Sequence, residues 1–113
     1  MDDLKKMSCE SCEVGAPLAT AKEIEAFMSQ LPQWERVEEN GITRLRKTYT
    51  FKDFNAALAF TNKVGALAEE QDHHPDILTA WGRVTVTWWT HKIKGLHVND
   101  FVMAAKTETL AES

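Results

Sequence analysis

The chain has 113 residues, 43% apolar and 27% charged, which is enough for one hydrophobic core but not for a large cofactor-binding α/β fold. This composition excludes a disordered, collagen-like or coiled-coil chain. Thirteen basic and seventeen acidic residues give a net charge of −4, which argues against broad binding to nucleic acid or to an anionic membrane. The longest apolar run is far too short to span a membrane and no signal peptide is visible, so we expect a cytoplasmic protein.

Residues 1–17 form a polar leader that contains Cys9 and Cys12 in a Cys-x-x-Cys spacing. Three interpretations stay open: a solvated tail with incidental thiols, half of a zinc site, and a redox couple. Two thiolates supply only half of a tetrahedral zinc shell, and a redox pair usually lies at a helix N-terminus. The solvated tail is therefore favoured, and residues 18–113 are predicted to form a single domain.

The first two predicted elements after the leader are a helix and a hairpin. Thr20 and Glu23 have the spacing of a capping box, and Pro32 ends the helix that follows. Its predicted apolar face consists of Ile24, Phe27, Met28 and Leu31. Asn40-Gly41 then predicts a tight turn within a hairpin over Trp34–Phe51. On the returning strand Leu45, Lys47, Tyr49 and Phe51 alternate with Arg44, Arg46, Thr48 and Thr50.

A long helix over Phe54–Glu70, with Asp53 as its N-cap, is predicted next. Its apolar stripe consists of Ala57, Phe60, Val64 and Leu67, with Phe54 and Leu58 beside it. Gly65 within this helix predicts close packing against a neighbouring element, since glycine destabilises a helix interior.

Two further strands are predicted over Ile77–Trp81 and Arg83–His91, with a turn near Gly82. A last helix is predicted to begin near Asn99, with Val98 and Met103 as a hydrophobic staple. The order α-β-β-α-β-β-α predicts an α+β two-layer fold, in which three helices pack on one face of a four-stranded antiparallel sheet. The exposed edge strands favour pairing with a second copy of the chain.

Three of the four histidines lie where acid–base chemistry would need them. His73 and His74 precede Pro75 at the end of the long helix, and His91 lies at the end of the last strand. Imidazole titrates near neutral pH, and Glu69, Glu70 and Asp72 are close enough in sequence to orient it. The alternatives are ordinary surface or core histidines and a zinc site, although adjacent histidines are strained as ligands of one tetrahedral ion. The sequence has no nucleophile elbow and no glycine-rich phosphate loop.

These residues carry a resemblance to a known family. The run from Glu69 to Pro75 is followed by Trp81 after five residues, by His91 after nine more and by Asp100 after eight more. This pattern resembles the signature of the pterin-4a-carbinolamine dehydratases, also called 4a-hydroxytetrahydrobiopterin dehydratases. The wider similarity, which includes segments that resemble bacterial members, covers about residues 18–110. The resemblance implies a four-stranded sheet that pairs into an eight-stranded sheet in a homodimer, which can assemble further into a homotetramer.

The resemblance also implies a reaction: loss of water from the 4a-carbinolamine of tetrahydropterin, which gives the quinonoid dihydropterin. This reaction recycles the cofactor of aromatic amino-acid hydroxylases, including phenylalanine hydroxylation, and needs no cofactor of its own. By position His73 and His91 become the acid/base pair, His74 holds the pterin or shares the proton transfer, and Glu69 orients the histidines. The implied substrate contacts are Asp72, His73, His74, Pro75, Trp89, Thr90, His91 and Lys92. Lys92 departs from the vertebrate pattern, in which an acidic residue often follows this histidine.

The tryptophans and the alternative functions complete the predictions. Trp88 shares the face of the core valines, Trp89 is expected beside the site, and Trp81 is expected to pack. One alternative function is an interaction module that binds a hydroxylase or a transcription factor through Phe54, Leu58 and their neighbours. Another is a metal-binding protein that uses the two cysteines and the histidines.

Overall fold

The structure of the chain is a computed structural model that describes residues 18–112, so the predictions for Cys9 and Cys12 lie outside the described residues. The elements are α1 (Ala21–Met28), β1 (Glu35–Glu39), β2 (Ile42–Thr50), α2 (Phe54–Gln71), β3 (Asp76–Ala80), β4 (Arg83–Trp88), a short 3₁₀ helix (His91–Ile93) and α3 (Val98–Glu112). The predicted order of helices and strands is confirmed.

The four strands form one antiparallel sheet in the order β1-β2-β4-β3. Side chains alternate across a strand, and on the two central strands one face carries the core. The fully buried members of that face are Leu45, Val84, Val86 and Trp88. Helices α2 and α3 pack on this face and α1 packs against α3, so the predicted two-layer α+β architecture is confirmed.

Helix starts follow the predicted capping residues in the first two helices. The Thr20 hydroxyl accepts a hydrogen bond from Glu23 N, and the Glu23 carboxylate accepts one from Thr20 N, which completes the capping box. Asp53 accepts a hydrogen bond from Ala56 N at 2.8 Å and begins α2. Each cap satisfies amide groups that have no partner inside the helix.

The turn of the first hairpin confirms the interpretation of Asn40-Gly41. Both residues have positive φ angles, 53° for Asn40 and 75° for Gly41, as a two-residue turn that matches the strand twist requires. A Cβ at Gly41 would contact no atom within 4 Å, so the cost of a side chain there is backbone strain alone.

We expect Gly41→Ala to lower the free energy of unfolding by about 1 kcal/mol, because an L-residue pays that much in the left-handed region. Urea denaturation measures the change. Gly65→Ala is the matched control, since a Cβ at this helical glycine also meets nothing within 4 Å and alanine favours the helix. Equal destabilisation by both substitutions would contradict the backbone explanation.

Two predicted packing roles are wrong. Gly65 makes no close approach to a neighbouring element, since open space surrounds the position of its missing side chain. Trp81 follows β3 directly and is 72% exposed instead of packed. The first prediction assumed that a glycine inside a helix must contact a neighbouring element. The second assumed that an aromatic ring must pack within the same chain.

A polar cluster ties α3 to β2. One oxygen of Glu108 accepts hydrogen bonds from Trp34 Nε1 at 3.0 Å, from Lys47 Nζ at 2.5 Å and from the hydroxyl of Tyr49. Burial, followed by the hydrogen bond to the carboxylate, raises the pKa of Tyr49 well above its ordinary value. Burial alone would raise the pKa of Glu108, but the hydrogen bonds from Lys47 and Tyr49 outweigh it and lower that pKa.

Candidate functional site

The end of α2 sends the two adjacent histidines in different directions. Asp72 adopts the left-handed conformation, with φ 51° and ψ 43°. His73 N donates to Ala68 O, and Asp72 N donates to Glu69 O, the two hydrogen bonds of a Schellman motif. After this turn the side chain of His73 enters the protein and that of His74 stays at the surface.

His73 is held by a buried carboxylate. Its Nε2 lies 2.7 Å from Oδ1 of Asp100, and its side chain is 8% exposed while that of Asp100 is fully buried. The imidazole also lies parallel to the indole of Trp88, with an interplanar angle of 5° and 5.8 Å between ring centroids. These two contacts fix both the plane and the rotation of the His73 ring.

Asp100 has three hydrogen-bond partners. Besides His73, the Thr90 hydroxyl donates to Oδ2 at 2.7 Å and His97 N donates to Oδ2 at 2.9 Å. The oxygens of an ionised carboxylate can only accept, so opposite an ionised Asp100 it is Nε2 of His73 that carries the proton and donates. Nδ1 of His73 is then the ring nitrogen that can exchange a proton with a substrate.

The start of α3 builds the position of Asp100. His97 Nδ1 accepts a hydrogen bond from Asn99 N at 3.0 Å, while Asp100 accepts one from His97 N. This is a reciprocal cap of the capping-box type with a histidine in the place of serine or threonine. The helix therefore begins at Val98, and the predicted staple, with Val98 outside the helix, is wrong.

His91 belongs to a turn and not to the strand that was predicted to carry it. Strand β4 ends at Trp88, Thr90 pairs with Gly95 in an isolated bridge, and His91 begins the short 3₁₀ helix. Lys94 closes this turn with a φ of 51°. The left-handed turn breaks the alternation that predicted a longer strand.

The His91 turn lies next to His73 because Asp100 joins them. The two oxygens of one carboxylate bind His73 Nε2 and the hydroxyl of Thr90, the residue before His91. His91 itself is exposed and stacks on Trp89, with ring centroids 4.2 Å apart and planes 11° from parallel. The structure thus brings His73 and Thr90, from distant parts of the sequence, to one buried carboxyl group.

His74 and Glu69 form a separate, exposed pair. Nε2 of His74 contacts Oε2 of Glu69, but both side chains are more than half exposed, so water screens their interaction. Glu69 was predicted to orient both histidines, and in the structure it contacts His74 while Asp100 orients His73. The Asp100 contact was missed, although the distal aspartate of the signature was its signal.

The remaining predicted contact residues surround this region. Asp72 is exposed, Pro75 half-buried, Thr90 buried and Lys92 exposed. Trp88 lies in the core and Trp89 beside His91, as predicted. Within residues 18–112 no group of three or more His, Cys, Asp or Glu side chains is arranged to hold a metal ion.

The fold and the site together define a two-layer α+β protein with an imidazole–carboxylate centre at the junction of α2, β4 and α3. The sequence profile described as pterin 4 alpha carbinolamine dehydratase matches residues 17–110. The chain belongs to the pterin 4 alpha carbinolamine dehydratase family. No helix in the described part of the chain is long and apolar enough to cross a membrane.

Relatives with similarity over the full chain have the same description. The chain is 61% identical over 112 residues to a protein of Syntrophotalea carbinolica, with 99% of this chain and 100% of the relative aligned. It is 58% identical to a protein of Chlorobium limicola, with 99% of each aligned, and 56% identical to one of Nitrosococcus oceani, with 97% of each aligned. All three carry the name "Putative pterin-4-alpha-carbinolamine dehydratase".

Two solved structures share the fold. A transcriptional coactivator/pterin dehydratase from Brucella melitensis superposes with a TM-score of 0.76 at 33% identity, over 84% of this chain and 99% of the other. A pterin dehydratase-like protein identified as a RuBisCO assembly factor in the alpha-carboxysome superposes with a TM-score of 0.60 at 26% identity, over 72% and 92% of the two chains.

Proposed function

We propose that this protein is a hydro-lyase that removes water from a 4a-hydroxytetrahydropterin to give the quinonoid dihydropterin. The family membership supports the reaction. The observation that carries the proposal for the site is the Asp100 carboxylate, which binds His73 and Thr90 at once and so brings two imidazole-bearing segments together.

The reaction needs two proton transfers and no redox step. The lone pair of a ring nitrogen forms a C=N bond to C4a while the C4a–O bond breaks. A general acid protonates the departing hydroxyl, and a general base takes a proton from the ring system, so that one water molecule leaves. Histidine suits both tasks near neutral pH, and such catalysis typically contributes about 10²–10⁴-fold.

In this proposal the histidines have different tasks, which their contacts support. His73 has a fixed ring with Nδ1 left for the substrate, and His91 offers an exposed ring from the adjoining turn. His74, paired with Glu69, holds the pterin or shares the proton transfer. The stretches Asp72–Pro75 and Trp89–Lys92 contact the substrate in this proposal.

Replacing His73 or His91 by alanine should lower the dehydration rate at least about tenfold, because each substitution removes one partner of the acid–base pair. Stopped-flow absorbance of the carbinolamine measures the rate, and thermal melting verifies folding. Glu70→Ala is the control, since Glu70 is exposed and its carboxylate accepts a hydrogen bond from the neighbouring Gln71 side chain. Wild-type rates in both histidine variants would exclude this mechanism.

A second candidate is a protein-binding role, which the coactivator and assembly-factor descriptions of the two solved structures suggest. Phe54 and Leu58 on α2 are 45% and 40% exposed, and they supply an apolar surface for such a partner. Co-purification with the His73→Ala protein tests this role, because a binding module keeps its partner when the acid–base pair is lost. Assembly into a dimer or tetramer, association with an aromatic amino-acid hydroxylase and a cytoplasmic location stay predictions.

A further inference from the structure

The indole of Trp89 contacts two other planar groups. The His91 imidazole stacks on it with 4.2 Å between centroids, and the guanidinium carbon of Arg44 lies 4.1 Å from the centroid of an indole ring. Trp89 itself is 8% exposed, although it follows the end of β4. The indole therefore belongs to the core and also contacts a cation and an imidazole.

His91 depends on this stack for its orientation. Among residues 18–112, no group donates to or accepts from either ring nitrogen of His91, whereas His73 and His74 each have a carboxylate partner. The imidazole is exposed and belongs to a single 3₁₀ turn, so the backbone leaves its rotation unrestrained. The parallel contact with Trp89 restricts the ring while both nitrogens stay available for proton transfer.

Arg44 in turn holds the indole. Arg44 precedes Leu45 on β2, and Leu45 pairs with Trp88 at the end of β4. The antiparallel register therefore brings Arg44 close to Trp89, the residue after the strand. Nη2 of Arg44 donates to Glu39 O at 3.3 Å, and the buried Nε of this residue has no hydrogen-bond partner among residues 18–112. A guanidinium that leaves a buried donor unpaired gains its main compensation from the face of the indole, as cation–π contacts provide.

We propose that Trp89 and Arg44 are positioning residues that hold the His91 imidazole in a productive orientation for proton transfer to or from the substrate. This inference rests on the proposed function of His91. It gives Trp89, which is also among the proposed substrate contacts, a role that acts through His91, and it adds Arg44. The stack sets the angle of the ring, which matters because misplacing a catalytic group by about 1 Å costs up to about a hundredfold in rate.

The test compares paired variants of the full-length chain. Trp89→Phe keeps a flat ring under the imidazole and Trp89→Leu removes it, while Arg44→Met keeps the aliphatic stem and removes the planar cation. Arg83→Met is the matched control, because Arg83 is an exposed arginine at the far end of β4. The readouts are kcat and KM for carbinolamine dehydration and the NMR shift of the His91 ring protons, which a stacked indole displaces upfield.

We expect Trp89→Leu and Arg44→Met to lower kcat about tenfold with KM within about twofold, Trp89→Phe to keep most of the rate, and Arg83→Met to match wild type. The upfield displacement should vanish in Trp89→Leu. Folded Trp89→Leu and Arg44→Met proteins with wild-type kcat would overturn the inference, provided that His91→Ala is slow. A wild-type rate in His91→Ala would instead overturn the proposed role of His91, while the NMR displacement would still report whether the stack exists.

Discussion

The Asp100→Asn variant is expected to lose about a hundredfold or more in dehydration rate. The amide has one acceptor oxygen where the carboxylate has two. Its NH₂ group must therefore face a group that donates to the carboxylate in the wild-type protein. If the NH₂ group faces His73, the imidazole must shift its proton to Nδ1, and a histidine held in the wrong tautomer loses most of its activity. The loss of a fully buried charged acceptor should also lower the free energy of unfolding by about 2–4 kcal/mol.

Three measurements check this result: kcat, urea denaturation, and a long-range ¹⁵N spectrum that reports the His73 tautomer. Asp76→Asn is the matched control, since Asp76 is an exposed carboxylate at the start of β3. A folded Asp100→Asn protein with a changed tautomer and an unchanged rate would remove His73 Nδ1 from the mechanism.

The stability of the chain should fall above pH 10 because of Tyr49. The folded-state pKa of Tyr49 is raised above the ordinary value of 10.0 by burial and by its contact with Glu108. Its contribution is therefore complete below pH 10 and is lost as the pH rises toward the folded-state value, at about 1.4 kcal/mol per pH unit. Tyr49→Phe should unfold more easily at neutral pH but lose less stability between pH 10 and 12 than wild type does.

Glu108 should produce the opposite dependence on the acid side. Its folded-state pKa is lowered because hydrogen bonds from Lys47 and Tyr49 outweigh burial, so its contribution is present above its ordinary pKa and is lost as the pH falls through the folded-state value. Urea denaturation across both pH ranges measures these slopes. Glu39→Gln is the control, because it removes an exposed pair with Arg46 that is worth little. Identical alkaline slopes for Tyr49→Phe and wild type would contradict the assignment to this cluster.

The sequence predicted those features that depend on short-range patterns. The Thr20 and Asp53 caps and the Asn40-Gly41 turn were identified because each is decided by residues within a few positions. The alternation of Val84, Val86 and Trp88 likewise identified the buried face. The element order then constrained the architecture to one antiparallel sheet with helices on one face.

The parts of the site that escaped prediction depend on contacts between distant residues. Asp100 is 27 positions from the histidine that it orients, so no local pattern connects the two. His97 is an unusual cap residue, and the more familiar asparagine at position 99 moved the predicted helix start too far along the chain. The strand was extended to His91 because alternation cannot reveal that Thr90 leaves the sheet to pair with Gly95.

The strand order has a kinetic consequence. Each hairpin closes through neighbouring residues. The central β2–β4 pairing joins Thr50 to Arg83 at one end and Leu45 to Trp88 at the other. This pairing must close a long loop that contains all of α2. Loop-closure entropy makes such distant pairing slow relative to hairpin formation. Arg44 and Trp89 meet across this same seam, so during refolding their contact should arise only when the two halves dock, and catalytic activity should return with that late step.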